Sequence, residues 1–158
     1  MMMRSLPLLL IASFVLVVMA GEADAEKEPL WNYTTGDDVF SVAISADGEY
    51  IVAGSDDGNV YLFGKGNNTP LWNYNSGVRV RSVAISANGE YIVAGSHPRW
   101  EPNDDDRVYL FGKNNNTPLW SYETGYVKSV AISADGEYIA AASKFNIYLF
   151  FFFFTFFF

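Results

Sequence analysis

Apolar and polar residues alternate along this chain in short runs that recur three times. In the first unit, Ser41-Val42-Ala43-Ile44-Ser45 is a run of β-forming residues, Asp47-Gly48 has the composition of a two-residue hairpin turn, and Tyr50 to Ser55 is a second run. Val60-Tyr61-Leu62-Phe63 follows after Asp57-Gly58, and the polar stretch Gly64 to Thr69 separates it from Leu71-Trp72-Asn73-Tyr74. The pattern predicts four short antiparallel strands per unit. The units restart at Pro29-Leu30-Trp31, Pro70-Leu71-Trp72 and Pro118-Leu119-Trp120, 41 and 48 residues apart. Self-similarity at roughly 40–50 residues points to a propeller or solenoid built from one supersecondary unit.

Both faces of Tyr50-Ile51-Val52-Ala53-Gly54 are apolar, so each small sheet needs cover on both sides, which a neighbouring sheet provides. Small residues at Ala43, Ala53 and Gly54, at Ala84, Ala94 and Gly95, and at Ala131, Ala141 and Ala142 let successive sheets approach closely. The fold class is therefore all-β: three four-stranded antiparallel blades in a partial or truncated propeller. Closed propellers typically use about 4–8 blades. Three leave two faces open, which predicts self-association to complete a ring.

Residues 41–63, 82–111 and 129–150, with the Leu-Trp strands, resemble the blades of WD-repeat and quinoprotein-like propellers over residues 30–150. The Trp-Asp dipeptide that names the first family is replaced by Phe63-Gly64 and Phe111-Gly112, and no His precedes the first strand, so that family's hydrogen-bonded tetrad cannot form in its usual way. The quinoprotein comparison rests on Val60 to Phe63 followed by Thr69-Pro70-Leu71-Trp72. Such a resemblance implies that Trp31, Trp72 and Trp120 are wedges between blades; an aromatic ligand platform is the alternative.

The second unit carries an insertion. Eleven residues, His97 to Arg107, stand where the first unit has four, Asp56 to Asn59. Insertions in repeat proteins tend to map to loops on a binding face, which makes His97, Arg99, Trp100, Glu101, Asp104, Asp105, Asp106 and Arg107 the candidate binding loop. Three consecutive acids lack the alternating spacing and turn glycine of a calcium loop, so no metal is assigned. His97, the sole histidine, is expected in the exposed loop, and Asp56-Asp57 before Gly58 is expected to serve turn geometry. With one histidine and no cysteine, multi-histidine metal sites and histidine-based catalysis are excluded. No catalytic residue and no cofactor is assigned.

The ends are unlike the repeats. Met1 to Arg4 form a positive start, Leu6 to Met19 an apolar stretch of 14 residues, and Val18 and Ala20 suit a cleavage site, which reads as a signal peptide over 1–20. A second cut falls after Ala25, and an uncleaved anchor is the competing reading, although a spanning helix needs about 20 residues. Residues 21–28 form an acidic linker, 29–150 the repeat domain, and 151–158 a phenylalanine-rich tail. The tail reads as a lost reading frame that breaks the third blade where its fourth strand should begin, with a membrane-dipping segment as the alternative. Membrane contact is expected only through the signal or this tail.

A net charge of −8 disfavours nucleic acid, which needs a clustered basic face. Without cysteine there is no disulfide framework, so stability outside the cell must come from packing. Asn32, Asn67 and Asn115 head sequons, the latter two in equivalent loops. The expectation is an exported protein, secreted, periplasmic or at the cell surface, that acts without catalysis as a binding or scaffold module for a protein or glycan partner. The alternatives are a fragment of a quinoprotein-type dehydrogenase and an envelope assembly factor.

Overall fold

The computed structural model describes residues 28–98 and 106–152. The signal peptide, its cleavage positions, most of the acidic linker, Arg99 to Asp105 and the tail beyond Phe152 lie outside the described residues.

Eleven strands and no helix make up the described chain. The first blade consists of β1 (Val39–Ile44), β2 (Tyr50–Ser55), β3 (Asn59–Gly64) and β4 (Pro70–Asn75), in spatial order β1-β2-β3-β4. The second repeats this with β5 (Arg79–Ile85), β6 (Tyr91–His97), β7 (Arg107–Gly112) and β8 (Pro118–Glu123). The third holds β9 (Ser129–Ile132), β10 (Tyr138–Ala142) and β11 (Ile147–Phe151), three strands where the others have four. Neighbouring strands within each blade are antiparallel, and β1 and β5 shift register at equivalent places, between Val39 and Ser41 and between Val80 and Ser82. The partial propeller anticipated from the repeats is thus the observed architecture.

The hairpin geometry differs from the expected two-residue turn. Four residues, Ala46 to Glu49, separate Ser45 from Tyr50, and the Ser45 N–H donates to the Tyr50 carbonyl at 3.0 Å. A two-residue type I′ turn needs positive φ at both central positions, and only Gly48 has it, at 73°. Side chains close the longer loop instead: the Ser45 hydroxyl and the Glu49 N–H both donate to the Asp47 carboxylate, and the Tyr50 N–H donates to Ser45 Oγ at 3.0 Å. Ser86 with Asn88 and Ser133 with Asp135 repeat this.

Blades meet through two apolar seams. Alternation along each strand sends one set of side chains forward and the other back. Val52, Val60 and Leu62 of the first blade meet Val80, Val83 and Phe111 of the second, all buried. Val93, Val108 and Leu110 of the second meet Val127, Val130 and Ile139 of the third. Each fully buried Val or Leu contributes roughly 1.5–3 kcal/mol. Gly54 and Gly95 permit the close approach: a Cβ at Gly54 would stand 2.7 Å from Val80 Cγ1, and one at Gly95 2.3 Å from Val127 Cγ1. Polar ties accompany the contact, with the Val83 N–H donating to Ser41 Oγ and the Val130 N–H to Ser82 Oγ, each at 3.0 Å.

The tryptophans are wedges. Trp72 on β4 packs on Phe111 of the next blade with ring centroids 5.4 Å apart, and its indole N–H donates to the Lys113 carbonyl at 2.8 Å. Trp120 lies 5.1 Å from Phe150 in the same way. Trp31 docks on Phe63 at 5.3 Å and donates to the Lys65 carbonyl at 2.9 Å, although residues 30–34 belong to no sheet.

Candidate functional site

The loops divide between two faces of the arc. On one face, the β2–β3 and β6–β7 connections are tied to the segments that lead from blade to blade. The Gly36 N–H donates to the Asp57 carboxylate at 2.8 Å, the Ser76 N–H to the Gly58 carbonyl at 2.8 Å, and the Thr124 N–H to the Asp106 carbonyl at 3.0 Å. Both described ends of the insertion lie here. On the opposite face, the β1–β2 and β3–β4 connections meet, with the Lys65 N–H donating to the Glu49 carbonyl at 2.9 Å.

The insertion is anchored at both ends. The Arg107 N–H donates to Ser96 Oγ at 2.7 Å, and that hydroxyl donates to the Arg107 carbonyl at 3.2 Å. Pro98 and Asp106 are buried, and the Arg107 guanidinium reaches Ser121 Oγ at 3.3 Å. His97 is not in an exposed loop. It ends β6, half-buried, with its ring 4.7 Å from that of Tyr126 on the third unit, because the strand continues to pair through Arg79 and carries the histidine onto the seam. Arg99, Trp100, Glu101, Asp104 and Asp105 lie outside the described residues, so the structure brings together only the base of the candidate loop.

At the equivalent corner of the first blade stands a charged cluster not anticipated from sequence. Asp56, with its side chain 6% exposed, sits between Arg79 and Arg81 of the second blade. Arg81 Nη2 donates to Oδ2 at 3.1 Å; the Nε atoms of Arg79 and Arg81, at 3.2 and 3.0 Å, make ionic contacts without hydrogen-bond alignment. The Arg81 guanidinium also covers the Phe40 ring at 3.5 Å. Asp57, by contrast, does serve the turn. Burial would raise its pKa, but hydrogen bonds from the Tyr61 hydroxyl and from the Asn59 and Gly36 amides outweigh that and hold it below the ordinary carboxylate value. Burial raises the Tyr61 phenol, and the hydrogen bond to Asp57 raises it further.

The opposite face has an open cleft of 460 Å³ lined by Asp47, Glu49, Lys65, Asn88 and Lys113 over Tyr50. Lys65 pairs with Glu49 and Lys113 with Glu90, and the Lys113 ammonium lies 5.2 Å from the centre of the Tyr50 ring. Hydrogen bonding to these glutamates raises both lysine pKa values. Amines held protonated in this way are poor nucleophiles. Asn67 and Asn115 occupy matching exposed positions on this face, their side-chain oxygens accepting the N–H of Thr69 and Thr117 at 2.8 and 2.9 Å, and Asn32 is exposed nearby. Among the described residues, no group of three or more metal-ligating side chains is placed to hold an ion, and no helix is long and apolar enough to cross a membrane.

The Lys-Glu pairs were legible in principle, since Glu49 and Lys65 recur as Glu90 and Lys113 at the same places of the repeat. Nothing local marks Asp56 as a partner of Arg79 and Arg81, which lie on another blade. Among known families, the model of the WD domain, G-beta repeat, matches residues 27–63, 69–111 and 116–150. The match lends no support to the quinoprotein-like resemblance. No curated protein matches the chain.

Proposed function

Because this chain belongs to the WD-repeat family, whose repeats generally mediate protein–protein interaction, we propose that it is a non-enzymatic binding module. Its specificity resides in the inserted loop between Ser96 and Val108. The observation that carries this reading is the insertion's construction. In one of three otherwise similar units, Pro98 and Asp106 are buried and Ser96 clamps Arg107, so the extra residues leave the blade from a fixed base. Ends that are already fixed leave less of the chain to be ordered on binding. The lysines of the opposite face and the Asp57–Tyr61 pair are held in fixed charge states, which suits structure rather than proton transfer.

The partner is a protein or a glycan met outside the cytoplasm. Export follows from the composition of residues 1–20, and sequencing the N-terminus of the released protein should begin at Gly21 or Glu26. For the site, residues 97–107 are replaced by the Asp56 to Asn59 turn of the first unit. Captured proteins and a glycan array are then compared with those of the parent. Loss of one reproducible partner with unchanged far-ultraviolet dichroism supports the loop; retention of every partner refutes it.

A further inference from the structure

Among the described residues, an extended segment before the first blade joins no sheet, and the third sheet has three strands where the others have four. Residues 29–34 occupy, on the first blade, the place that β4 occupies on the second and β8 on the third. Trp31 and Tyr33 pack on Phe63, and the Asn68 side-chain amide donates to the Asn32 carbonyl at 2.9 Å, as that of Asn116 does to Asn73 at 2.8 Å. Among the described residues, no β3-type strand lies beside this segment. On the third blade, β11 pairs with β10, and among the described residues no strand lies on its other edge.

The faces behind these edges match in the same way. Ile147 and Leu149 stand at the repeat positions of Val60 and Leu62 and of Val108 and Leu110; the four are fully buried, whereas Ile147 and Leu149 are 86% and 72% exposed. On the first blade, Val39 and Val42 stand where Val80 and Val83 are buried, yet are 49% and 66% exposed. The two open faces are therefore the two halves of a seam that the chain already builds twice.

We propose that a second copy of this chain completes that seam. Residues 29–34 of one copy pair antiparallel with β11 of the other, and the register of β3 with β4 sets Tyr33 opposite Ile147 and Trp31 opposite Leu149. Charge at the seam's edge supports the direction. The first seam sets Asp56 against Arg79, and at the corresponding positions the open faces carry Lys144 and Asp38, the same pair with reversed polarity. Two such three-blade arcs sum to six blades, within the size range of about 4–8 for closed propellers. One position fits less well. Ala142 replaces Gly54 and Gly95, whose missing Cβ admits Val80 and Val127, so Val39 of the second copy must sit slightly further out.

The chain has no cysteine, so introduced thiols report pairing cleanly. Thr34→Cys and Asn146→Cys, at exposed positions that the register places opposite each other, are made singly in the full chain, mixed and mildly oxidised. A disulfide-linked species of twice the monomer mass in the mixture, and not in either variant alone, is the expected result. Equal cross-linking in the separate variants, no cross-linking in the mixture, or an intramolecular disulfide when both are in one chain overturns the proposal. In sedimentation, Lys144→Glu and Asp38→Lys should each weaken association on the order of tenfold and together restore it, because each reversal faces like charge at both contacts of the pair. Ala142→Gly should strengthen it. Association that ignores all three variants overturns the assigned seam.

Discussion

The two internal seams share one apolar plan and differ at their rims. At the first, Val52, Val60 and Leu62 face Val80 and Val83 beneath an ionic corner, Asp56 between Arg79 and Arg81. At the second, Val93, Val108 and Leu110 face Val127 and Val130 beneath His97, whose ring packs at a tilt against Tyr126. Interior positions repeat because each must fill a volume set by the same backbone, and a close-packed core feels even one methylene. Rim positions lie at the edge of the seam, outside the shared apolar interior, where a charge pair in one unit can take the place of an aromatic pair in the next without repacking the core. The difference teaches that stacking is carried by the shared interior, and that the rims are where one unit can depart from the next.

The largest expected effect tests that equality. Leu62→Ala and Leu110→Ala remove fully buried side chains from the first and second seam, and each should cost about 3 kcal/mol in urea unfolding followed by tryptophan fluorescence. A difference above about 2 kcal/mol between them would show that the interiors are not equivalent, that figure being roughly the spread of buried Leu→Ala costs with how well each site collapses. Close approach gives the next largest effect. Gly95→Ala should destabilise by roughly 1–3 kcal/mol, and more than Gly54→Ala, because its added methyl meets Val127 at 2.3 Å against 2.7 Å for Val80. An equal or reversed order would place the tighter seam on the other side.

The rims should then separate. Asp56→Ala strips a buried carboxylate from two partly exposed arginines and should cost about 1–2 kcal/mol, less at high salt. His97→Ala loses one half-buried ring contact and should cost below about 1 kcal/mol, with little salt dependence. The smallest effect is acid sensitivity within the first blade. Asp57 has a folded pKa below its ordinary 3.8, so its contribution is complete above that value and is lost as pH falls through the lowered pKa. Asp57→Asn should flatten the acid limb of a stability profile below pH 3.8; an unchanged limb would remove Asp57 from that role.

Much of the architecture was legible. Blade boundaries, the wedge role of Trp72 and Trp120, and the small residue at Gly95 were readable because strand alternation and repeat spacing are local properties of the chain. The hairpin form was not, because Asp47-Gly48 suits more than one turn and the Ser45 hydroxyl, five residues from the N–H it accepts, selects the longer one. His97 was misplaced because strand pairing, not composition, decides how far β6 runs into the insertion. Of the candidate loop, only the anchoring of its two ends can be compared with the expectation, and their burial could not be read from a stretch rich in charge and proline.

Short strand runs apolar on both faces, recurring at a period of 41 to 48 residues with small residues at fixed places, were enough by themselves to indicate stacked antiparallel sheets, because such strands need cover on both sides and the repeats supply it. Only the tertiary structure decided which side chains meet at a distance: Asp56 with arginines on the next blade, His97 with Tyr126, and Trp31 with Phe63 of the first blade. The reason is physical. Burial follows from the character of each residue along the strand, whereas pairing between residues 23 to 34 positions apart depends on how one blade seats against, or folds back on, another, and the local pattern carries no term for that distance.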